Sequence, residues 1–279
     1  MKFAQSSAVY FNHSLPFALR DLHRLGYDGV EIWGGRPHMY RHDLDDELDG
    51  LRTLCDDLGL VVCNFIPAQY RYPSILCSVN ERVRKESVDY IKDALENAFL
   101  MRSPSISVCP GMTLLDSDRD QGWRQLYRSL KEIEAYAADR SMLVLIEPAH
   151  RFESNLIARI DDCLRMLEEL ESERFGVLLD TGHLHLNGEP FDEVLHKCQG
   201  FPLHIHLDDN RGDFDSHLVP GCGTIDFAAF FRALKAVDYS GFVSVELGAL
   251  YNLDPTSACR DSRGALETML SRARHKPDS

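Results

Sequence analysis

Four short apolar segments of the chain end in side chains that are typical metal ligands. They are residues 144–146 before Glu147, 175–179 before Asp180, 202–205 before His206 and 242–245 before Glu246. Short apolar runs of this kind are typical of buried strands. A carboxylate at the end of a buried strand is costly unless a cation meets it. These four strand ends are therefore the first candidates for chemistry.

Predicted strands and helices alternate along the whole chain. We count eight strand–helix units over residues 1–279, with no composition break or low-complexity linker between them. Such alternation requires a parallel sheet covered by helices, and eight units is the number that closes into a barrel. An open doubly wound sheet is the competing architecture, but no glycine-rich phosphate loop follows the first strand. The sequence therefore predicts an α/β fold with a single (β/α)8 TIM-barrel domain.

The predicted barrel brings the four strand ends to one face. Side chains alternate along a strand, which directs His204 and His206 inward and puts Glu147, Asp180 and Glu246 at the inward rim. Each of these alone could be an ordinary rim residue, but three carboxylates and an imidazole together repel one another without a cation. Oxygen-rich ligation with one imidazole and open positions suits a single divalent ion, for which we expect Mn²⁺, with Mg²⁺ or Co²⁺ as alternatives.

Net charge, cysteine spacing and apolar run length argue against several classes of protein. The chain has 30 Lys and Arg against 44 Asp and Glu, and a formal net charge of −14 argues against a nucleic-acid partner. The eight cysteines form no Cys-x-x-Cys pair, which favours reduced thiols in a cytoplasmic protein. No signal-peptide core and no apolar run of membrane-spanning length is evident. We expect a soluble cytoplasmic protein with no membrane partner.

Several motifs resemble one known family. They are Glu147-Pro148, Asp-Thr-Gly-His at 180–183, His-Ile-His at 204–206, Pro-Gly-Cys-Gly-Thr-Ile-Asp at 220–226 and Ser-Val-Glu at 244–246. Together they resemble the xylose-isomerase-like sugar phosphate isomerase/epimerase superfamily over nearly the whole chain. Residues 25–38, 153–155 and 216–217 are most similar to the fructoselysine 3-epimerases. The Asp-Thr-Gly-His pattern is also similar to the D-tagatose/D-psicose (ketose) 3-epimerases.

The resemblance implies roles for further residues. It implies that the four strand-end residues bind the metal and that two of them, Glu147 and Glu246, face opposite sides of the reacting carbon. Glu153 and His183 would hold substrate oxygens, although His183 could instead orient the neighbouring aspartate. The ketose epimerases carry an arginine soon after the metal-binding histidine, and Arg211 lies near that position at an offset that differs by one.

Two residues have roles that the sequence leaves open. Glu31 ends the second predicted strand on its inward side and could contact substrate or a neighbouring loop. His217 stands just before Pro220-Gly221 and could reach the metal pocket and the substrate. We keep both as candidate substrate-binding residues.

The residues also fit a reaction without the family name. A cation that polarises a carbonyl makes the proton on the neighbouring carbon acidic and stabilises a cis-enediolate. Inverting that carbon needs one base on each face, and Glu147 and Glu246 stand on separate strands of the barrel wall. We therefore expect an epimerase acting beside a keto group, on a free ketose, a fructosamine or a keto-sugar acid. Related barrels pair, so a homodimer or homotetramer is expected.

Four other functions compete with this hypothesis. An apurinic endonuclease has the same fold, but it needs more metal ligands and must approach DNA, which the net charge opposes. A dehydratase of the inosose or dehydroshikimate type begins with the same proton abstraction and then expels a hydroxyl. An aldose–ketose isomerase of the hydroxypyruvate or xylose type also fits. A non-catalytic sugar-binding module would not require both glutamates.

Overall fold

Eight parallel strands close into a barrel in the computed structural model, which describes residues 1–69 and 74–275. The strands are β1 (Lys2–Ser6), β2 (Gly29–Gly34), β3 (Val61–Pro67), β4 (Ser105–Val108), β5 (Leu143–Ile146), β6 (Phe175–Asp180), β7 (Leu203–Leu207) and β8 (Phe242–Val245). They pair in chain order, and β1 also pairs with β8, Lys2 opposite Phe242, which closes the sheet. The predicted (β/α)8 architecture is confirmed.

Helices follow the strands and cover the outside of the barrel. They are α1 (Leu15–Arg24), α2 (Leu48–Leu58), α3 (Glu81–Leu100), α4 (Arg119–Ala138), α5 (Ile160–Leu170), α6 (Thr181–Asn187), α7 (Phe191–Lys197), α8 (Phe227–Ala236) and α9 (Pro255–His275). Ser14 begins α1 because its hydroxyl accepts the Phe17 N–H. Gly59 ends α2 in the left-handed region, with φ of 66°. Both boundaries agree with the sequence pattern.

The connection between β6 and β7 differs from the prediction. The pattern indicates one helix near residues 191–197, whereas the structure has α6 before α7. Asp180 begins α6, because its Oδ1 accepts the His183 N–H at 2.8 Å. Gly188, with φ of 64°, ends the helix after seven residues. A helix this short gives too few residues for its periodicity to be recognised.

The barrel interior contains a layer of polar side chains. Buried residues from five strands contact one another there: Glu31, Asn64, Ser105, His204, His206 and Ser244. The intervening residues on the same strands, such as Ile32 and Ile205, are fully buried in the apolar core. The strands therefore keep their apolar side toward the helices and their polar side toward the interior, as the alternation in residues 203–207 predicts.

The helices and the cysteines can be compared with the predictions about membrane spans and disulfides. Among the described residues, no helix combines the length and apolar character needed to cross a membrane. All eight cysteines are free thiols, which agrees with the absence of a disulfide framework in the sequence.

Candidate metal centre and active site

Four strand-end side chains meet at the carboxyl-terminal rim of the barrel. His206 Nδ1 lies 2.9 Å from Glu246 Oε2, 3.4 Å from Glu147 Oε1 and 4.0 Å from Asp180 Oδ2. One ligand atom from each residue lies within 4.8 Å of the others. Metal bonds of about 2.1 Å put ligand atoms up to about 4.2 Å apart, so a small contraction would fit them around one ion.

Buried atoms of this cluster lack hydrogen-bond partners. Asp180 Oδ2 and His206 Nδ1 are both buried and make no hydrogen bond. A buried polar group without a partner is costly, and a native structure rarely leaves two such groups facing each other without a ligand. Three carboxylates and one imidazole with open positions suit a divalent cation. The residues present therefore fit the predicted metal.

The pKa values of the cluster residues also favour a bound cation. Burial raises the pKa of Asp180 well above its usual range, and nearby Asp208 raises it further. Burial alone would lower the pKa of His206, but Glu31 and Glu246 outweigh it and hold that pKa well above its usual value. Burial would raise the pKa of Glu246, whereas His206 brings it below its usual value. In the absence of a cation, Asp180 and His206 therefore retain protons at the ligand cluster.

Glu31 lies on the other side of the His206 ring from the three carboxylates. It is fully buried, and its Oε1 and Oε2 lie 2.9 and 3.0 Å from His206 Nε2. Burial would raise the pKa of Glu31, but His206 and His204 lower it to far below its usual value. Glu31 does not line the cavity described next. The structure therefore places Glu31 against a metal-ligand candidate, and its contact with substrate stays a prediction.

A cavity of about 330 Å³ opens beside the cluster. This volume is at the small end of the range for small-molecule sites. Its described lining divides into an apolar wall and a titratable wall. The apolar wall includes Ala8, Trp33, Ile66, Pro67 and Ala68, next to Gln69 and Cys109, and the titratable wall contains Glu147, Glu153, His183, His217 and Glu246. Both proposed bases therefore face one cavity.

Glu153 and His183 lie side by side in this cavity. His183 Nε2 is 3.9 Å from Glu153 Oε2, and His183 Nδ1 donates to the Pro148 carbonyl at 3.1 Å. Burial would lower the pKa of His183, but Asp180 and Asp215 raise it well above its usual value. Burial raises the pKa of Glu153. These two side chains can therefore donate to and accept from hydroxyl or carbonyl oxygens of a ligand.

Asp215 is a site residue that sequence reasoning missed. Its side chain is 8% exposed, and its Oδ2 lies 3.3, 3.5 and 3.0 Å from the Nε2 atoms of His150, His183 and His217. His150 was also missed. Both lie in irregular loops, where no periodicity indicates the direction of a side chain. The Asp-Ser-His run at 215–217 was the available signal, because an acidic residue close to a histidine in a rim loop often orients it.

Arg211 and His217 differ in their position relative to the cavity. Arg211 is exposed and lies outside the described lining of the cavity, so its contact with substrate stays a prediction. Asn210 explains this, because its Oδ1 accepts the Gly212 N–H and its Nδ2 donates to the Gly182 carbonyl, in a turn where Gly212 has φ of 80°. His217 does line the cavity, and its Nδ1 lies 3.1 Å from Asp208 Oδ2.

Fold and site geometry together define a class of protein. A model of the xylose isomerase-like TIM barrel family matches residues 19–269. This match covers most of the chain, so the chain belongs to that family. The family predicted from the sequence motifs is confirmed.

Particular relatives narrow the class further. The chain is 28% identical to fructoselysine 3-epimerase of Escherichia coli O157:H7 over 254 residues, 91% of this chain and 92% of the relative. The crystal structure of a D-tagatose 3-epimerase-like protein superposes with a TM-score of 0.84 at 27% identity, covering 98% of each chain. The crystal structure of the IOLI protein with a bound zinc atom has a TM-score of 0.84 at 20% identity over 99% of this chain and 100% of its own. The predicted enzyme class, an isomerase, is confirmed.

Proposed function

We propose that the protein is a divalent-metal-dependent epimerase that inverts the carbon next to a keto group, C3 of a ketose. One observation carries this proposal: Glu147 and Glu246 line the same cavity, and each also directs an oxygen toward His206 Nδ1. Two carboxylates at one cavity, joined by a cation site, are the groups that inversion through a cis-enediolate requires. We propose Mn²⁺ as the ion, with Mg²⁺ or Co²⁺ as alternatives; zinc in the IOLI structure supports a divalent site.

The candidate ligands are Glu147, Asp180, His206 and Glu246. A bound cation would supply polarisation of the substrate carbonyl and charge compensation for the enediolate. One glutamate takes the proton from C3, and the other returns a proton from the opposite face. Glu147 Oε2 is directed away from the ligand cluster and accepts a hydrogen bond from the Cys109 thiol at 3.7 Å. Burial and Glu147 raise the pKa of that thiol, which keeps it a donor.

Glu153 and His183 hold the substrate during these steps. Their polar atoms lie together in the cavity, beside Glu147, whose Oε1 is 4.0 Å from His183 Nδ1. Asp215 fixes the far side of the His183 ring. Orientation of this kind lowers the barrier because the reacting carbon stays aligned with both bases.

The charge of the cavity favours one part of the expected substrate range. No Lys or Arg occurs in the part of its lining that the structure describes. Phosphate and carboxylate groups are usually recognised by such side chains, Arg above all. Glu147, Glu153 and Glu246 also repel anionic groups, so free ketoses and amine-bearing fructosamines fit this lining better than phosphorylated sugars or keto-sugar acids. The apolar wall with Trp33 and Ile66 suits the carbon face of a sugar.

The test is isotope exchange in D₂O with Mn²⁺-loaded enzyme and a panel of ketoses and fructosamines. We expect deuterium at C3 and an isobaric product of inverted configuration, detected by NMR and mass spectrometry. Loss of water would identify a dehydratase, and an aldose product would identify an aldose–ketose isomerase. Absence of exchange with every substrate would overturn the proposal.

Two substitutions test the roles of the bases. Glu147→Gln and Glu246→Gln each remove a base while keeping side-chain volume, so we expect turnover to fall by at least about 10²-fold, the usual contribution of a general base. Glu189→Gln is a matched control, because Glu189 is a buried carboxylate outside the cavity that accepts from the Ile160 N–H. Near-normal turnover in either purified cavity variant would contradict the mechanism.

A further inference from the structure

Glu31 is a fully buried carboxylate with donors on several sides. Both of its oxygens face His206 Nε2, Asn64 Nδ2 donates to Oε1, and His204 Nε2 lies 3.5 Å from Oε2. A charged group held this far from solvent is costly unless every contact compensates it. Packing alone therefore does not explain why a carboxylate occupies this position.

The contact with Glu31 decides which nitrogen of His206 carries hydrogen. An ionised carboxylate only accepts hydrogen bonds, so a neutral His206 beside it carries its proton on Nε2. The Nδ1 lone pair then faces Glu147 Oε1 and Glu246 Oε2, at 3.4 and 2.9 Å. In the opposite tautomer, an Nδ1–H would donate to Glu246 and place its hydrogen where a cation would bind.

Neighbouring strands hold Glu31 in this orientation. The pairing of β2 with β3 shifts between Val30 and Glu31, so that Val30 is opposite Val62 and Glu31 is opposite Asn64. Such bulges redirect side chains. Ser105 Oγ donates to Asn64 Oδ1 at 2.6 Å, which leaves the amide Nδ2 to donate to Glu31. A hydrogen-bonded path thus runs from β4 through β3 and β2 to His206 on β7.

We propose that Glu31 is a positioning residue that fixes His206 with its proton on Nε2 and its Nδ1 free to bind the divalent cation. This inference rests on the metal dependence in the proposed function, but not on which sugar is converted. Partners of this kind orient a ligand and raise its basicity, and their loss typically weakens metal binding 10- to 100-fold.

The decisive variant is Glu31→Gln, which keeps the volume of the side chain. Its amide can donate to His206 Nε2 and so favours the tautomer with hydrogen on Nδ1. We would measure Mn²⁺ dissociation constants by calorimetry on metal-free wild type, Glu31→Gln and the control Glu189→Gln, with circular dichroism to verify folding. We expect binding about 10- to 100-fold weaker in Glu31→Gln and unchanged in the control.

A measurement on the wild type covers the case in which Glu31→Gln does not fold. Nitrogen-15 NMR of histidine-labelled, Zn²⁺-loaded protein should show His206 bonded to zinc through Nδ1, with a slowly exchanging hydrogen on Nε2. Coordination through Nε2, unchanged Mn²⁺ affinity in Glu31→Gln, or no Mn²⁺ binding by the wild type would each overturn the inference. Weakened binding in the variant together with no epimerisation of any sugar would retain it and refute only the proposed reaction.

Discussion

At the residue scale, His206 is the side chain on which most of the site depends. Its ring stands between Glu31 on the Nε2 side and Glu147, Asp180 and Glu246 on the Nδ1 side. One imidazole among four carboxylates leaves the site short of positive charge, and protons or a cation must supply it. Protons and a metal cation should therefore compete for the same ligand atoms.

Metal affinity should therefore increase with pH. The pKa values of Asp180 and His206 are held above their usual range, so both groups retain protons at pH values where the free side chains would lose them. A cation must displace these protons, and the apparent association constant should rise up to about tenfold per pH unit for each proton released. Glu246, whose pKa is lowered, should release none.

Calorimetry in two buffers of different ionisation enthalpy measures this release directly. The number of protons released should exceed zero near neutral pH and fall as pH rises through the raised pKa values of the metal-free protein. A Mn²⁺ affinity that is independent of pH, with no proton release, would contradict the coupling.

The sequence allowed the four strand-end residues to be predicted, but not all their neighbours. Glu147 and Asp180 follow apolar runs whose alternation defines their direction. Asp215 and His150 lie in loops where the direction depends on turns that only the tertiary structure defines. Arg211 shows the same limit, since one turn at Asn210 and Gly212 directs it into solvent.

At the element scale, helix α6 links the candidate metal centre to the stability of the fold. Asp180 uses one oxygen to begin α6 and leaves the other for the ligand cluster. The long strands and helices were predictable because their periodicity extends over many residues. Helix α6 was not, although Asp180, the residue that caps it, was predicted as a metal ligand, because the capping role becomes evident only with the helix.

Substitutions of Asp180 should separate its two roles. Asp180→Asn keeps an oxygen for the His183 N–H but lacks the ligand charge, so we expect unfolding of the metal-free protein near that of wild type, with Mn²⁺ binding lost. Asp180→Ala removes both and should lower the free energy of unfolding by about 1 kcal/mol. Chemical denaturation of the metal-free protein measures the free energy of unfolding, and calorimetry measures Mn²⁺ binding.

Asp226→Ala is the matched control for this experiment. Asp226 begins α8 by accepting the Ala229 N–H at 2.9 Å and lies outside the cavity. Its loss should cost about 1 kcal/mol as well, without an effect on metal binding. If Asp180→Asn bound Mn²⁺ like wild type, Asp180 would be a cap and no ligand.

At the scale of the whole molecule, several large apolar side chains are exposed to solvent. Those most exposed among the described residues include Leu114, Leu115, Phe214, Leu250 and Leu253. Single exposed apolar residues are ordinary, but these five all lie in connections that follow a strand, at the carboxyl-terminal end of the barrel, where they form a candidate surface for association.

We therefore predict a homodimer or homotetramer. Light scattering coupled to size exclusion should give a mass twice or four times the 31.7 kDa of one chain. The mass should persist at micromolar concentration, as for a stable interface. A single-chain mass at every concentration would contradict the prediction.

The described cavity lining divides cleanly along the chain. Every carboxylate and imidazole in it comes from residues 147–246, on the second half of the barrel, whereas Ala8, Trp33 and residues 66–69 on the first half form the wall that a sugar would rest against. On the proposed function, substitutions in this first-half wall would change which sugar fits, because both proposed bases and all four candidate ligands lie on the second half. Glu31 on β2 is the exception, so recombination between relatives at the β4–β5 boundary should transfer selectivity alone only where the incoming half keeps a carboxylate at that position.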